Sequence, residues 1–540
     1  MALNVWLSDT CKRYFPKSEA EVKKTLSMDY ALNERMSFQV LLRQDGAPQK
    51  VTVTAIGPDG WDVRVRRIGY VPVRHANTGA ENIPAKKLAA EVDWGDGLPG
   101  SVPDPLFDGN LIVLPQNETH GFWITVTPAT KAVAGTYPIV VKIEPERDKK
   151  QKLTFKAVLH DVKLAPRKDF HITHWFYADS LVAQYKVKAF SEEFWPICEE
   201  YVKDYVAHGL DTLYVPVFTP PLDGVKLPTQ LLGVKRKGKK YVFDWTNVRR
   251  WLEMAKKCGI THFEWVHPFT QWGVKYAIRI YEGQQEEEKL LFPPETPATS
   301  PEYREFLTAF FGELYDLLKK EKLLTKSFFH VSDEPHGDEH RANYKKARTM
   351  LKEIAPWMKT MDALSEIAFG REKITDMPVP SIRTAVQFYN EGITSWCYYC
   401  CGPRGTYVQR LLDTPLPKIW MHGFLFYRWP FKGFLHWGFN YWFESQTRNL
   451  IDVYAEQDGL RWPGWAYGDT CQVYPGKDGK PVDSIRWEVF SESLQDYRLL
   501  QTLGISRDDE IFNPIKDFND FPKDAKWRLK IRRKLLGDKA

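Results

Sequence analysis

Between Ser300 and Pro356 the chain changes its apolar period twice, and no other stretch restricts the possible folds so strongly. Ser300-Pro301 offers an N-cap followed by a first-turn proline. Tyr303, Phe306, Leu307, Phe310, Phe311, Leu314, Leu317 and Leu318 then recur at helical spacing. An apolar run, Phe328 to Val331, leads to adjacent acids, Asp333 and Glu334, and Pro335 and Gly337 close it, as expected of a buried strand. Asp338 is placed to cap a second helix, carrying Tyr344, Ala347, Leu351 and Ile354 and stopped by Pro356. Helix, buried strand, helix is the unit of α/β folds, which gather their chemistry at the carboxyl ends of strands. The two acids lie at such an end.

The same alternation runs along the chain on both sides. A strand is predicted at 171–177, with a helix from Ser191 to Gly209, and a second at 211–218. A basic loop, Lys235 to Lys240, then leads to a helix capped by Asp244 and closed by Gly259. A third strand at 261–268 precedes an insertion, 272–299, acidic at Glu286 to Glu288. Further strands are expected near 359–365, 383–389, 394–401 and 433–442, although 366–383 lacks a clean helical pattern. Eight strands alternating with helices predict a (β/α)8 barrel over 166–445, with Asp333 and Glu334 on its fourth strand.

Residues 1–165 follow a different rule. Val51, Val53 and Ala55 alternate with polar neighbours, Gly57 to Gly60 makes a turn, and Trp61, Val63 and Val65 resume the alternation. Such spacing predicts an antiparallel β-sandwich, joined to the barrel near Leu164 to Lys168. Beyond the barrel, 446–540 reads as a loop and helical extension, with Trp487, Phe490, Leu494, Tyr497 and Leu500 on one helix. The fold class is therefore multidomain α/β, which a length of 540 residues also requires.

Charge, cysteines and hydropathy exclude several functions. The net charge of +6 is concentrated in 526–540, where Lys526, Arg528, Lys530, Arg532, Arg533, Lys534 and Lys539 face one acid, Asp538. The rest is neutral overall, so no distributed footprint for nucleic acid exists; the tail is expected as a solvated helix. Seven cysteines in so long a chain make no disulfide framework. Cys397 and Cys400 form a lone CxxC in an aromatic run, expected as buried thiols. Arg428, Lys432 and His436 interrupt the aromatic stretch from Phe424 to Trp442, so no membrane span is expected. The start shows no signal peptide, giving a cytoplasmic expectation. Aromatic residues make up 14% of the chain, with 20 tryptophans; flat rings of this kind stack sugars, although a Trp-rich core is the competing reading.

Two acids suit glycoside cleavage, which needs a proton donor at the leaving oxygen and negative charge near the anomeric carbon. Sequence-adjacent acids do not easily straddle one sugar. They suit a substrate-assisted route, in which the sugar's 2-acetamido carbonyl attacks its own anomeric carbon. Glu334 would then be general acid and base, and Asp333 would hold the acetamido N–H. His330, His336, Asp338, Glu339 and His340 crowd the same stretch and raise a metal alternative. No HExxH is present, and Asp338 and Glu339 are better placed as first-turn helix charges. No metal or cofactor is expected.

Ser332-Asp333-Glu334-Pro335 resembles glycoside hydrolase family 123, the β-N-acetylgalactosaminidases and their wider relatives. A second block, Trp465 to Gly479 running into Pro481 to Phe490 and Glu492 to Tyr497, resembles the same family. The resemblance implies a retaining, exo-acting hexosaminidase, with Asp333 as the orienting carboxylate and Glu334 as the acid/base. The substrate would be a glycan or glycoconjugate. Residues at other strand ends are candidates for the sugar-binding wall: Trp175, Tyr177, Trp265, His267, Tyr389, Trp437 and Asn440, with Trp465 closing over from the late loop. Arg486 is expected to pair with Glu488 or Asp483. The alternatives are a barrel hydrolase of other sugar specificity, using Glu334 and a distant carboxylate, and a non-catalytic carbohydrate-binding protein.

Overall fold

The computed structural model describes residues 3–75, 99–219, 225–282, 288–462 and 464–537. Glu286 and Glu287 of the acidic insertion, and Asp538 and Lys539 of the basic tail, lie outside these. The N-terminal part holds two five-stranded sheets. One runs in the order Asn4–Ser8, Met36–Gln44, Glu118–Thr127, Asp62–Val73, Gly100–Asp108. The other runs Thr25–Ala31, Gln151–His160, Gly135–Pro145, Gln49–Ile56, Leu111–Leu114. Alternation explains the packing: Leu153, Phe155, Ala157 and Leu159 of one strand, and Ile139, Val141 and Ile143 of its neighbour, are buried, with polar residues between them. Phe155 stacks on Phe38 of the other sheet, ring centroids 4.2 Å apart. The sheets are antiparallel except that Gln151–His160 runs parallel to Thr25–Ala31, a departure from the expected uniform pattern.

The second part is built on parallel strands buried on both faces, hence without alternation. Six form one curled sheet in the order Ser327–Phe329, His262–Trp265, Thr212–Val215, His171–His174, Gly433–His436, Cys397–Tyr398. A separate parallel pair, Met361–Ala363 with Met377–Val379, is linked by single parallel bridges from Thr360 to Phe329 and from Ser381 to Tyr398.

Several expectations are corrected. The stretch 383–389 is helical over Ala385–Asn390, and the strand lies earlier, at Met377–Val379. Its buried residues, Ala385 and Phe388, are three apart, which is a helical spacing. The basic loop is a hairpin, Gly233–Lys237 with Lys240–Asp244, turned at Gly238 with φ 62°. The helix Gly337–Ile354 starts before Asp338, and His336 is its N-cap. The basic tail is not merely solvated: Arg528 and Arg532 of the helix Ala525–Gly537 are buried on Asp496, and Arg532 also on Glu34. Tryptophan use divides between both readings, since Trp6, Trp123, Trp251, Trp265, Trp396, Trp420, Trp442 and Trp487 are fully buried.

The helix Ile485–Thr502 is buried almost all round and joins the two parts. Its Glu488 accepts from Arg66 at 2.7 Å and from Arg35, both in the N-terminal part, while His208, at the end of the helix Phe194–Ala207, lies 3.4 Å away. Arg66 also pairs with Asp483. Arg486 does not take the acids expected of it; it pairs with buried Asp104 at 3.1 Å. Burial works against charge on His208, but Asp204 beside it outweighs burial and lifts the imidazole to about 10. Removing one partner from such a cluster strands buried charge. Arg66→Met is therefore expected to cost about 3–5 kcal/mol in denaturant unfolding monitored by tryptophan fluorescence; a loss under about 1 kcal/mol would show that the cluster carries little of the joint.

Candidate active site

The acids stand on a turn tied to both neighbouring strands. Asp362 accepts the backbone N–H groups of Val331 and Ser332 at 3.1 and 3.2 Å. On the other side, Ser332 Oγ donates to the Thr270 carbonyl at 2.7 Å, and Trp272 N–H to the Asp333 carbonyl at 2.6 Å. Glu334 N–H donates to the Ala363 carbonyl at 3.0 Å. With both sides fixed, Glu334 is held at φ 43°, a left-handed conformation that non-glycine residues keep only when their surroundings impose it. Pro335 after it disfavours the right-handed alternative.

Below the turn, His330 bridges two buried carboxylates. One ring nitrogen meets Glu264 and the other meets Asp362 at 3.2 Å. Burial alone would lower His330, but these partners raise it to about 10, so it is an imidazolium at neutral pH. Burial pushes Asp362 up, and His330 and the Tyr344 hydroxyl pull it back. Glu264 also accepts from Thr173 and from the Trp175 indole, the latter at 2.8 Å.

Above the turn opens a cleft of about 610 Å³, counting the open solvent at its mouth. Asp333 and Glu334 face it with Gln271, Trp272, Tyr398, Cys400, Trp175, Trp437, Trp462 and Trp465. Gln271 Nε2 donates to Asp333 Oδ2 at 3.1 Å, and the Tyr398 hydroxyl donates to Glu334 Oε1. Burial and the adjacent Glu334 carboxylate push Asp333 well above the ordinary carboxylate range. An N–H donor brought against Asp333 would act in the opposite direction. Behind the wall, buried Asp469 accepts the indole N–H of Trp437 at 2.7 Å and of Trp465 at 3.0 Å. Trp462 stacks on Trp465 with centroids 4.1 Å apart.

The family model of the glycoside hydrolase 123 catalytic domain matches residues 175–503. The chain belongs to glycoside hydrolase family 123. Among solved structures it is similar to a family 123 glycoside hydrolase from Clostridium perfringens, studied for glycolipid glycan hydrolysis, with 13% identity and a TM-score of 0.73 over 93% of this chain and 88% of that one. That likeness concerns the fold. A Bacteroides ovatus xyloglucanase aligns over 87% of this chain and 98% of its own at 9% identity, with a TM-score of only 0.30. No curated protein matches the chain.

Of the residues predicted for this family 123 site, Asp333, Glu334, Trp175, Trp437 and Trp465 line the cleft. The others do not. Tyr177 is buried against Trp437 and Tyr441, and Asn440 serves its backbone, donating to the Tyr177 carbonyl at 3.0 Å and accepting its N–H at 2.9 Å. Trp265 stacks on Phe329 on the outer side of the sheet. His267 is fully buried, its ring 4.3 Å from that of His330. Tyr389 is an exposed residue of the 385–390 helix. Gln271, Trp272, Tyr398, Cys400 and Trp462 were missed; Gln271 and Trp272 follow the predicted 261–268 strand closely enough to have been found.

The CxxC does not form a unit: the Cys397 Sγ is fully buried and faces the Gly433 carbonyl at 3.7 Å. For metals, ligand atoms of His267, His330 and Asp362 lie within 4.8 Å of one another, as do those of His171, Asp211 and His262. In the first group both His330 nitrogens are committed to carboxylates, and a protonated imidazole is no ligand. Among the described residues no helix is long and apolar enough to cross a membrane.

Asp469→Ala would leave the Trp437 and Trp465 N–H groups without their acceptor and free the wall. The expected result is a KM for an aryl glycoside raised about tenfold, with kcat changed less, on the scale of one hydrogen bond to a charge. An unchanged KM would remove Asp469 from the binding argument.

Proposed function

We propose that this glycoside hydrolase is a retaining, exo-acting β-N-acetylgalactosaminidase that uses the substrate's 2-acetamido group as nucleophile. One observation carries the reading: among the described residues lining the cleft, Asp333 and Glu334 are the only carboxylates. They come from one turn of chain, whereas a two-carboxylate mechanism places its acids on opposite sides of the scissile bond. Asp469 and Glu264 are buried behind tryptophans and bonded to them, and Asp362 is buried beneath the turn, bonded to His330 and to the N–H groups of Val331 and Ser332.

In this mechanism a terminal sugar enters against the indoles of Trp175, Trp437 and Trp465. Asp333 accepts the acetamido N–H, which aligns the carbonyl oxygen with C1 and stabilises the positive charge that develops on the amide. Glu334 donates its proton to the glycosidic oxygen as the C1–O bond breaks and the carbonyl oxygen bonds to C1, giving an oxazoline-like intermediate. Glu334, now a carboxylate, removes a proton from water as that water attacks C1 and restores the acetamide, with the anomeric configuration retained. The Tyr398 hydroxyl bonded to Glu334 fixes the direction of proton delivery. An intramolecular nucleophile contributes an effective molarity of about 10⁵ M or more, so the protein need not supply one.

The same reading closes the parallel strands into a (β/α)8 barrel over 166–445. The bridges Phe329–Thr360 and Ser381–Tyr398 support it, because they insert the pair at 361–363 and 377–379 between the two edges of the six-stranded sheet. Residues 446–540 then pack on that barrel as an extension. The glycan hydrolysis described for the Clostridium perfringens relative favours a glycolipid or other glycoconjugate as the natural substrate.

Initial rates on aryl N-acetylgalactosaminide, N-acetylglucosaminide and galactoside test the proposal. The galacto acetamido sugar is expected to turn over fastest; a plain galactoside cleaved at an equal rate would eliminate the acetamido mechanism. Glu334→Gln should lower kcat by about 10²–10⁴, with less loss on substrates bearing good leaving groups. Asp333→Asn should damage turnover of acetamido substrates, and a thiazoline mimic of the intermediate should bind far more tightly than substrate.

A further inference from the structure

One thiol of the cleft wall, Cys400, and the thiol of its sequence neighbour Cys401 have no part in the glycosidase chemistry. Cys400 lines the wall with Tyr398 and Glu334, and its Sγ is 4.0 Å from that of Cys401. Both are half-buried free cysteines. Their backbone is tied on each side, since Gln409 Nε2 donates to the Cys400 carbonyl at 2.7 Å and Arg404 Nε to the Cys401 carbonyl at 2.6 Å. The dipeptide is thereby held with its two sulfurs close together. Cys397 is a buried thiol, as expected, and the sulfur nearest Cys400 is that of Cys401 rather than the other member of the CxxC.

We propose that Cys400 and Cys401 form an oxidisable vicinal dithiol, a modification site on the cleft wall whose closure to a disulfide lowers glycoside turnover. The effect on turnover rests on the cleft being the glycosidase site. With hydrogen peroxide as the oxidant, one thiol gives up its proton and its sulfur attacks the peroxide; the O–O bond breaks, leaving a sulfenic acid and one water. The second thiol loses its proton and attacks that sulfur, expelling the hydroxyl as a second water. Two thiols are oxidised by two electrons in all, and one peroxide is reduced to two waters. A disulfide is about 2.05 Å long, so the sulfurs must approach by roughly 2 Å. A disulfide usually joins Cα atoms at least about 4.4 Å apart, whereas adjacent Cα atoms lie about 3.8 Å apart, so closure must also shift the dipeptide backbone and with it the wall beside Glu334. Hydrogen bonding with Cys401 and burial hold the Cys400 thiol well above its usual range, so thiolate is scarce near neutrality and closure should accelerate as pH rises.

The full chain is treated with hydrogen peroxide, quenched, and followed by peptide mass mapping and by initial rates on an aryl N-acetylgalactosaminide. The expected result is loss of about two hydrogen masses from the peptide holding both residues, turnover reduced several-fold, and recovery of both readouts with dithiothreitol. Cys401→Ser, at a position that does not line the cleft, should keep its basal rate and form no such linkage. Phenylarsine oxide, which bridges two neighbouring thiols with loss of water, should inhibit the parent protein and spare this variant. Oxidation of either cysteine to a sulfinic acid without a 400–401 linkage would overturn the proposal, as would a complete linkage that leaves turnover unchanged. Linkage is scored by mass, so a parent chain inactive on every glycoside would count against the glycosidase reading, while the dithiol would still stand or fall on the linkage.

Discussion

A buried imidazolium underlies the arrangement of the site. His330 is wedged between Glu264 and Asp362, and each carboxylate has a second task on the cleft side. Glu264 holds the Trp175 indole, a wall of the cleft. Asp362 holds the backbone N–H groups of Val331 and Ser332, and so the entry to the turn that carries Asp333 and Glu334. Charges this deep persist only when paired and hydrogen-bonded, and removing any one would leave the others uncompensated. The wall and the acids are therefore located by one connected network. The cost of a left-handed Glu334 is borne by that rigid surrounding structure.

The same device recurs at larger scale. Glu488, buried on the helix Ile485–Thr502, takes Arg35 and Arg66 from the N-terminal part and faces His208 from the part built on parallel strands. A joint made of apolar surface alone would fix the two parts loosely in angle, because hydrophobic contact is non-directional. Charged hydrogen bonds add direction. The helix reaches further in both directions, through Glu492 to Thr10 and Trp420, and through Asp496 to Arg528 and Arg532. The C-terminal segment thus acts as a pin through the molecule, and two of the tail's basic residues, Arg528 and Arg532, are neutralised inside it.

The cleft unites these two levels. Its floor comes from the strand ends at 333–334, 363 and 398, while its far wall comes from Trp462 and Trp465, late in the chain. Asp469 aligns Trp437 with Trp465 and also meets His436 at 3.2 Å, so a strand end and the late loop share one buried acceptor. Aromatic stacking surfaces are useful to a sugar only at fixed orientation, and hydrogen-bonded indoles have it.

Local pattern in the sequence determined the period of each segment, and with it a sandwich of alternating strands, a run of buried strands between amphipathic helices, and two acids at a strand end. These are legible because side chains repeat at two residues in a half-buried strand and at about 3.6 in a helix. Local pattern misled where elements were short: the helix at 385–390 and the hairpin at 233–244 contain too few residues to show a period. Tertiary structure alone decided which aromatic residues face the cleft. Trp175 and Trp265 both mark the ends of parallel strands, yet one lines the cleft and the other packs outward on Phe329. It also decided that Tyr398 meets Glu334 across 64 positions and that Arg486 goes to Asp104. Such partners are brought together by the curl of the sheet and the return of the C-terminal helix, and pairing across that distance leaves no periodic mark on either segment.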